Sequence, residues 1–162
     1  VTGPRRAFVA AALALVVLVP ATAAAPRQIS GLHDARHTRA KHSVHVTGRM
    51  RQVTPVTPGT IEDHGTVTGM PFGSGSVLLV STIANGRFTS TFRLTLPRGS
   101  VSGTASLPFT ITGSEIDLKG TARLTSGTGA YRRISSGALQ AHVHDTLDGQ
   151  SGRLSLKGSA TY

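Results

Sequence analysis

A three-residue pattern, apolar–x–Gly, set within five alternating stretches, limits what this chain can fold into more than any other feature. It occurs as Val46-Thr47-Gly48, Val67-Thr68-Gly69, Val101-Ser102-Gly103, Leu118-Lys119-Gly120 and Leu156-Lys157-Gly158. In four of the five, the next position on the same side is apolar again: Met50, Ala105, Ala122 and Ala160. A period of two is that of a β-strand, so these residues share one face. Glycine within a strand loosens packing, yet it lets the strand coil sharply or a second backbone approach. Repeated on the apolar face of several strands, it predicts a small, tightly curved antiparallel barrel.

The rest of the chain agrees with an all-β reading. Among 162 residues there are 19 Gly, five Phe, two Tyr and no Trp, so core volume must come from Val, Leu, Ile and Ala. Alternation begins at Val44, with Val46, Gly48 and Met50 on one side and His45, Thr47, Arg49 and Arg51 on the other. Two prolines in Thr54-Pro55-Val56-Thr57-Pro58-Gly59 predict a turn-rich connection, followed by a short strand over 66–70. Val77–Ile83 is apolar on both faces and reads as the most enclosed strand. Asn85-Gly86 is a type I′ hairpin dipeptide. In the next strand, Phe88, Phe92, Leu94 and Leu96 form an apolar row broken only by Ser90. Further strands follow around Val101–Leu107, Ile116–Leu124, Leu139–Val143 and Leu154–Ala160, with Asp148-Gly149 as another hairpin dipeptide. About eight strands result, spaced as in a sandwich or barrel. No helix is predicted beyond the N-terminal segment.

That segment reads as an export signal. Gly3-Pro4-Arg5-Arg6 precedes the apolar run Ala7–Val19, and Ala21-Thr22-Ala23 fits a small–x–small cleavage site. The run is shorter than the roughly 20 residues a membrane-spanning helix needs. The expected organisation is a signal peptide over 1–23, a basic, His-containing, disordered leader over 24–43 and one β-barrel domain over 44–162. The expected location is outside the cytoplasm, secreted or associated with the cell surface. The chain has no cysteine, which excludes disulfides, thiolate catalysis and cysteine–zinc sites.

One stretch departs from simple alternation: Gly120-Thr121-Ala122-Arg123-Leu124-Thr125-Ser126-Gly127-Thr128-Gly129-Ala130-Tyr131, then Ser136-Gly137-Ala138-Leu139. It resembles the motif of the allene-oxide-cyclase/dirigent-like barrels, where a strand ends in a Gly-Thr-Gly-x-aromatic turn before the next strand. The likeness spans about Gly65 to Tyr162. It implies a closed, calycin-like barrel of eight strands, related in shape to lipocalins, in a bacterial secreted member of the family. Plant allene oxide cyclases steer closure of an unstable fatty-acid epoxide, and dirigent proteins steer coupling or cyclisation of phenolic intermediates. The pocket residues of those plant proteins find no matching motif in this chain. Independently of family, Gly127 and Gly129 can supply positive φ in a tight turn, with Tyr131 tucked against the barrel wall or touching a ligand.

Candidate chemistry is sparse. Glu62-Asp63-His64 is the one local acid–base cluster, placed at a barrel rim just before a strand. A rim carboxyl becomes a general acid or base when burial raises its pKa. Glu62, Asp63 and Tyr131 are therefore the candidate ligand-binding residues. His142 and His144 stand two apart on one strand, a metal-ligand spacing, but the sequence names no third donor. Alternation with Leu139, Ala141 and Val143 puts both on the polar outer face. No nucleophile elbow or phosphate loop is present, no cofactor is implied, and the residues assigned inward include no titratable group.

Charge adds a partner class. Net charge is +10 for the chain, and residues 27–51 hold six basic residues against one acid. An exported basic segment is drawn to anionic cell-wall polymers or membrane surfaces. No aromatic side chain interleaves those charges, which argues against specific nucleic-acid recognition. The expected function is that of an exported, non-enzymatic barrel that binds a small apolar ligand or acts at the cell surface. The alternatives are a barrel guiding cyclisation or coupling of a reactive lipid or phenolic intermediate, and a structural or adhesive envelope protein with a filled interior.

Overall fold

The computed structural model describes residues 39–57 and 59–162, and the side chains of 54–58 are not described. The signal peptide and most of the leader lie outside the described residues. Nine strands follow one another: β1 (Lys41–Thr57), β2 (Thr60–Met70), β3 (Gly73–Ala84), β4 (Arg87–Leu96), β5 (Gly99–Thr112), β6 (Glu115–Gly127), β7 (Ser135–Ser136), β8 (Leu139–Thr146) and β9 (Gly152–Thr161). A single 3-10 turn, Gly129–Tyr131, lies between β6 and β7. Among the described residues there is no α-helix.

Each long strand pairs antiparallel with the next, and β1 also pairs with β9, from Lys41 opposite Thr161 to Met50 opposite Gly152. The sheet is thus a closed eight-stranded antiparallel barrel. β7 adds only two residues beside the end of β9. Eight strands enclose an interior just wide enough for side chains to fill.

Alternation decides which side chains enter it. In β4 every second residue is buried, from Phe88 to Leu96. Met50, Ala105, Ala122 and Ala160, the partners of the recurring glycines, are all buried. Gly103 shows why the pattern needs glycine. A Cβ there would lie 2.4 Å from the Phe92 ring and 2.3 Å from the Arg123 carbonyl oxygen. At Gly69, where φ is 144°, a Cβ would lie 2.0 Å from the His45 carbonyl oxygen. The glycines let neighbouring backbones and core rings close on the curved wall.

Several expectations change. β1 starts at Lys41, inside the expected leader, because β9 runs on to Thr161 and supplies its partner. The proline-rich stretch is not a free connection. β1 extends to Thr57, with an irregularity in the ladder between Val53 and Thr57 that accommodates it. β2 begins at Thr60, so Glu62, Asp63 and His64 lie within a strand rather than before one. Val77–Ile83 is not enclosed on both faces: Val77, Leu79 and Ser81 point in, Leu78 and Val80 are half-buried outside, and Ile83 is exposed. The Asn85-Gly86 hairpin is as expected, with φ of 53° and 70°. Asp148-Gly149 instead sits in a five-residue loop, 147–151, where the Gly149 N–H donates to the Thr146 carbonyl oxygen at 2.8 Å.

Candidate functional site

The two ends of the barrel differ. One is plugged by the Gly-Thr-Gly-x-Tyr segment. The Thr128 N–H donates to the Ser100 carbonyl oxygen and the Ala130 N–H to that of Arg98, at 2.8 and 2.9 Å. The Ser100 N–H in turn donates to Thr128 Oγ1 at 2.9 Å. These bonds staple the segment to the β4–β5 hairpin. Gly129 takes the positive φ, 58°. Gly127 does not; it is required because a Cβ would meet the Tyr131 carbonyl oxygen at 2.3 Å. Tyr131 is thereby delivered into the barrel end, 2% exposed. Its ring meets Phe72 and Tyr162 edge-on, each with centroids 5.4 Å apart, and His42 stacks on Tyr162.

The other end is open. A cavity of about 270 Å³ occupies the mouth, bounded by apolar side chains that include Leu79, Phe88, Leu107, Phe109 and Leu118. At roughly 30 Å³ per water, that is the volume of about nine waters. Deeper in, among Met50, Leu79, Phe92, Val143 and their neighbours, only about 30 Å³ is left unfilled. Side chains therefore fill most of the barrel's length, and the larger space lies at the mouth.

Two polar features interrupt the apolar lining. The first is Ser81 and Ser90, which face each other across β3 and β4. Both are 1% exposed, and their hydroxyls share a hydrogen bond of 2.8 Å. Ser90, the break in the apolar row of β4, is thus a partner for Ser81. The second is a pair of carboxyl groups. Asp63 of β2 and Asp145 of β8 both line the cavity. Asp63 is only 7% exposed. Burial is the main cause that lifts its pKa to about 6; the charge of Asp145 adds to the effect and that of His64 opposes it. Burial also pushes Asp145 up, although the Thr146 N–H donates to its Oδ1 at 2.7 Å. Gln52 of β1 pairs with Asp63 in register and also lines the cavity.

The expectation of an interior without titratable groups is corrected by these two acids. The strand parity explains both. Asp63 is four residues before the buried Val67, and Asp145 two after the buried Val143. Extending each apolar row outward would have found them.

The predicted site residues do not come together. Of the three ligand candidates, Asp63 alone borders the cavity. Glu62 points outward, its Oε1 2.5 Å from His64 Nε2. Tyr131 belongs to the plugged end. His142 and His144 lie on the outer face, as alternation implies. His142 Nε2 bonds to Asp117 Oδ1, and Lys119 occupies the other oxygen of Asp117. These contacts hold the Asp117 carboxyl down at about 2. His144 sits 3.8 Å from both Glu115 and Asp117. Among the described residues, no group of three or more His, Cys, Asp or Glu side chains is arranged to hold a metal ion.

Comparison with known proteins gives this chain no neighbour: no family model, curated protein or solved structure matches it.

Proposed function

We propose that this protein is an exported, dirigent-like β-barrel that binds a small, mainly apolar ligand in its mouth. The carrying observation is the cavity of about 270 Å³, apolar on most of its wall and placed at one end of an otherwise filled barrel. A concave apolar pocket with a few convergent polar groups is the usual form of a small-molecule site. Export rests on the sequence of residues 1–23, and the dirigent-like assignment on Gly127–Tyr131. The test is calorimetric titration with n-octanol, a neutral and mainly apolar molecule. Saturable binding is expected, and Ile116→Trp, which fills the mouth from a half-buried lining position, should reduce it strongly. Absence of binding, or equal binding by the variant, would refute the reading.

A second reading is favoured by one observation. Burial in the mouth lifts the Asp63 carboxyl to about 6, near the optimum for a general acid or base at neutral pH. A barrel guiding cyclisation of a reactive lipid or phenolic intermediate would use that group for proton transfer. Turnover that disappears in Asp63→Asn while ligand binding persists would select it.

Attachment to anionic cell-wall polymers or membrane surfaces through residues 27–51 is the partner proposal. Lys41, Arg49 and Arg51 are all exposed on β1. Binding to anionic vesicles should weaken as salt approaches physiological strength, where exposed charges are screened over roughly 8 Å. Deletion of residues 24–40, which takes away three of the six basic residues, should weaken it. Equal binding by the shortened and full proteins would sink the proposal.

A further inference from the structure

We propose that the mouth selects ligands with a cationic amine head, held by Asp63, and disfavours those ending in a carboxylate. The proposal rests on the reading of the mouth as an apolar ligand site and adds the chemistry of the ligand's polar end.

The lining carries two acidic side chains and, among the described residues, no basic one. Asp63 is more than nine-tenths buried, and no hydrogen bond from a described residue reaches its carboxyl. That contrasts with other acids of the described chain. Glu62 has His64, Asp117 has His142 and Lys119, and Asp145 has the Thr146 N–H. Among the described residues no fully buried side-chain oxygen lacks a partner, so the Asp63 carboxyl reaches the open space of the mouth, where the donor comes from water or from a ligand. That open space is the cavity itself, so a ligand seated there is in position to provide the donor.

The neighbouring strands leave that role open. On β1, Gln52 faces Asp63 in register and is neutral. On β3, Leu79 is opposite Asp63, and Ser81 lies on the diagonal, already bonded to Ser90. On β8, Asp145 adds a second negative charge, and Asp148 acts on Asp145 in the same sense. His64, next in sequence on the outer face, supplies the one opposing charge acting on Asp63. A protonated amine satisfies Asp63 through a charge-assisted hydrogen bond and is also attracted by Asp145. A ligand carboxylate meets two like charges in a poorly solvated space. An alcohol can donate but gains no charge.

The depth and volume suit a short chain. A ligand of about nine non-hydrogen atoms, with its alkyl part against Leu107, Leu118 and Phe109, matches the space. n-Octylamine, n-octanol and octanoate form a series that changes the head and keeps the tail.

Calorimetry of the full protein with each compound decides the matter. At pH 7.5 the amine should bind at least about tenfold more tightly than the alcohol, and the acid most weakly. At pH 4.5, where Asp63 is protonated, the advantage of the amine over the alcohol should shrink to within about twofold. Asp63→Asn should erase the same advantage at pH 7.5 while keeping the affinity for the alcohol. That last result separates loss of the head contact from loss of the fold or pocket. Equal binding of amine and alcohol at pH 7.5 would overturn the proposal and leave the apolar-site reading standing. So would an amine preference that survives in Asp63→Asn. Failure of all three compounds to bind would overturn both.

Discussion

At one end of the barrel Tyr131 is packed against Phe72 and Tyr162, while at the other Asp63 borders open space. The acids follow the same division. Glu62 and Asp63 lie near the start of β2, Glu115 and Asp117 open β6, and Asp145 and Asp148 lie where β8 leads into its loop. All the acids of the described chain thus belong to the mouth half. Lys41, Arg98, Arg132 and Arg133 lie toward the plugged end and are exposed. The plugged end keeps charge outside and fills its interior with rings, the arrangement that favours stability. The mouth admits carboxyl groups to an apolar interior, which lowers stability at neutral pH. A fold that accepts this cost at one end and avoids it at the other separates holding the structure from exposing a site.

The division can be broken most severely at the plug. Tyr131→Ala should destabilise by about 3–5 kcal/mol, the usual cost of truncating a buried aromatic, with urea or thermal unfolding as the measure. A loss below 1 kcal/mol would mean that the plug contributes little.

The opposite sign is expected at the mouth. Since Asp63 is raised from 3.8 to about 6, the folded protein holds this proton more tightly than the unfolded chain does. Stability therefore falls as pH rises from about 4 to about 6, then levels off. At one pKa unit per 1.36 kcal/mol, the decline is up to about 3 kcal/mol. Asp63→Asn should remove that slope and raise stability at pH 7.5 by about 1–3 kcal/mol, with little gain at pH 4. An unchanged pH profile would show that Asp63 is solvated rather than buried.

Between the two ends, the wall itself is tested by Gly103→Val, expected to cost roughly 1–3 kcal/mol through overpacking against Phe92. Gly120→Val should behave alike, since a Cβ there would lie 2.2 Å from the Ser106 carbonyl oxygen. Unchanged unfolding midpoints would refute the inward assignment of these glycines. The smallest effect belongs to the lip of the mouth. Ile111 is 54% exposed, and Ile111→Ser should alter stability by less than about 0.5 kcal/mol. A larger loss would extend the packed interior to the rim.

Much of this division was legible in the sequence, but unevenly. The recurring glycines and the alternation around them predicted the curved wall, because a period of two records side-chain direction directly. The Gly127–Tyr131 turn announced a special connection, although not which end it would plug. Asp63 stands out by its chemistry, but the sequence puts it before a strand, because Gly65 and the polar residues around it mask the alternation. Asp145 carries no signal of its own beside the more conspicuous His142 and His144. The cavity itself depends on how eight inward rows meet in space, and no single row contains that information.

The pairing of β1 with β9 has a consequence for the history of the chain. Seven ladders join strands that are neighbours in sequence, apart from the short detour through β7, whereas this one joins the two extremes of the described fold. Hairpins can form locally as the chain emerges, but the ring has no closure until Gly152–Thr161 is available. Until then β1 and β8 are both open edges, with unpaired backbone groups ready to recruit another strand. Closing a longer loop adds only a slowly growing entropic cost, so the vulnerability is one of timing. A chain interrupted before β9 is a curved ribbon with two adhesive margins, and that one strand removes both.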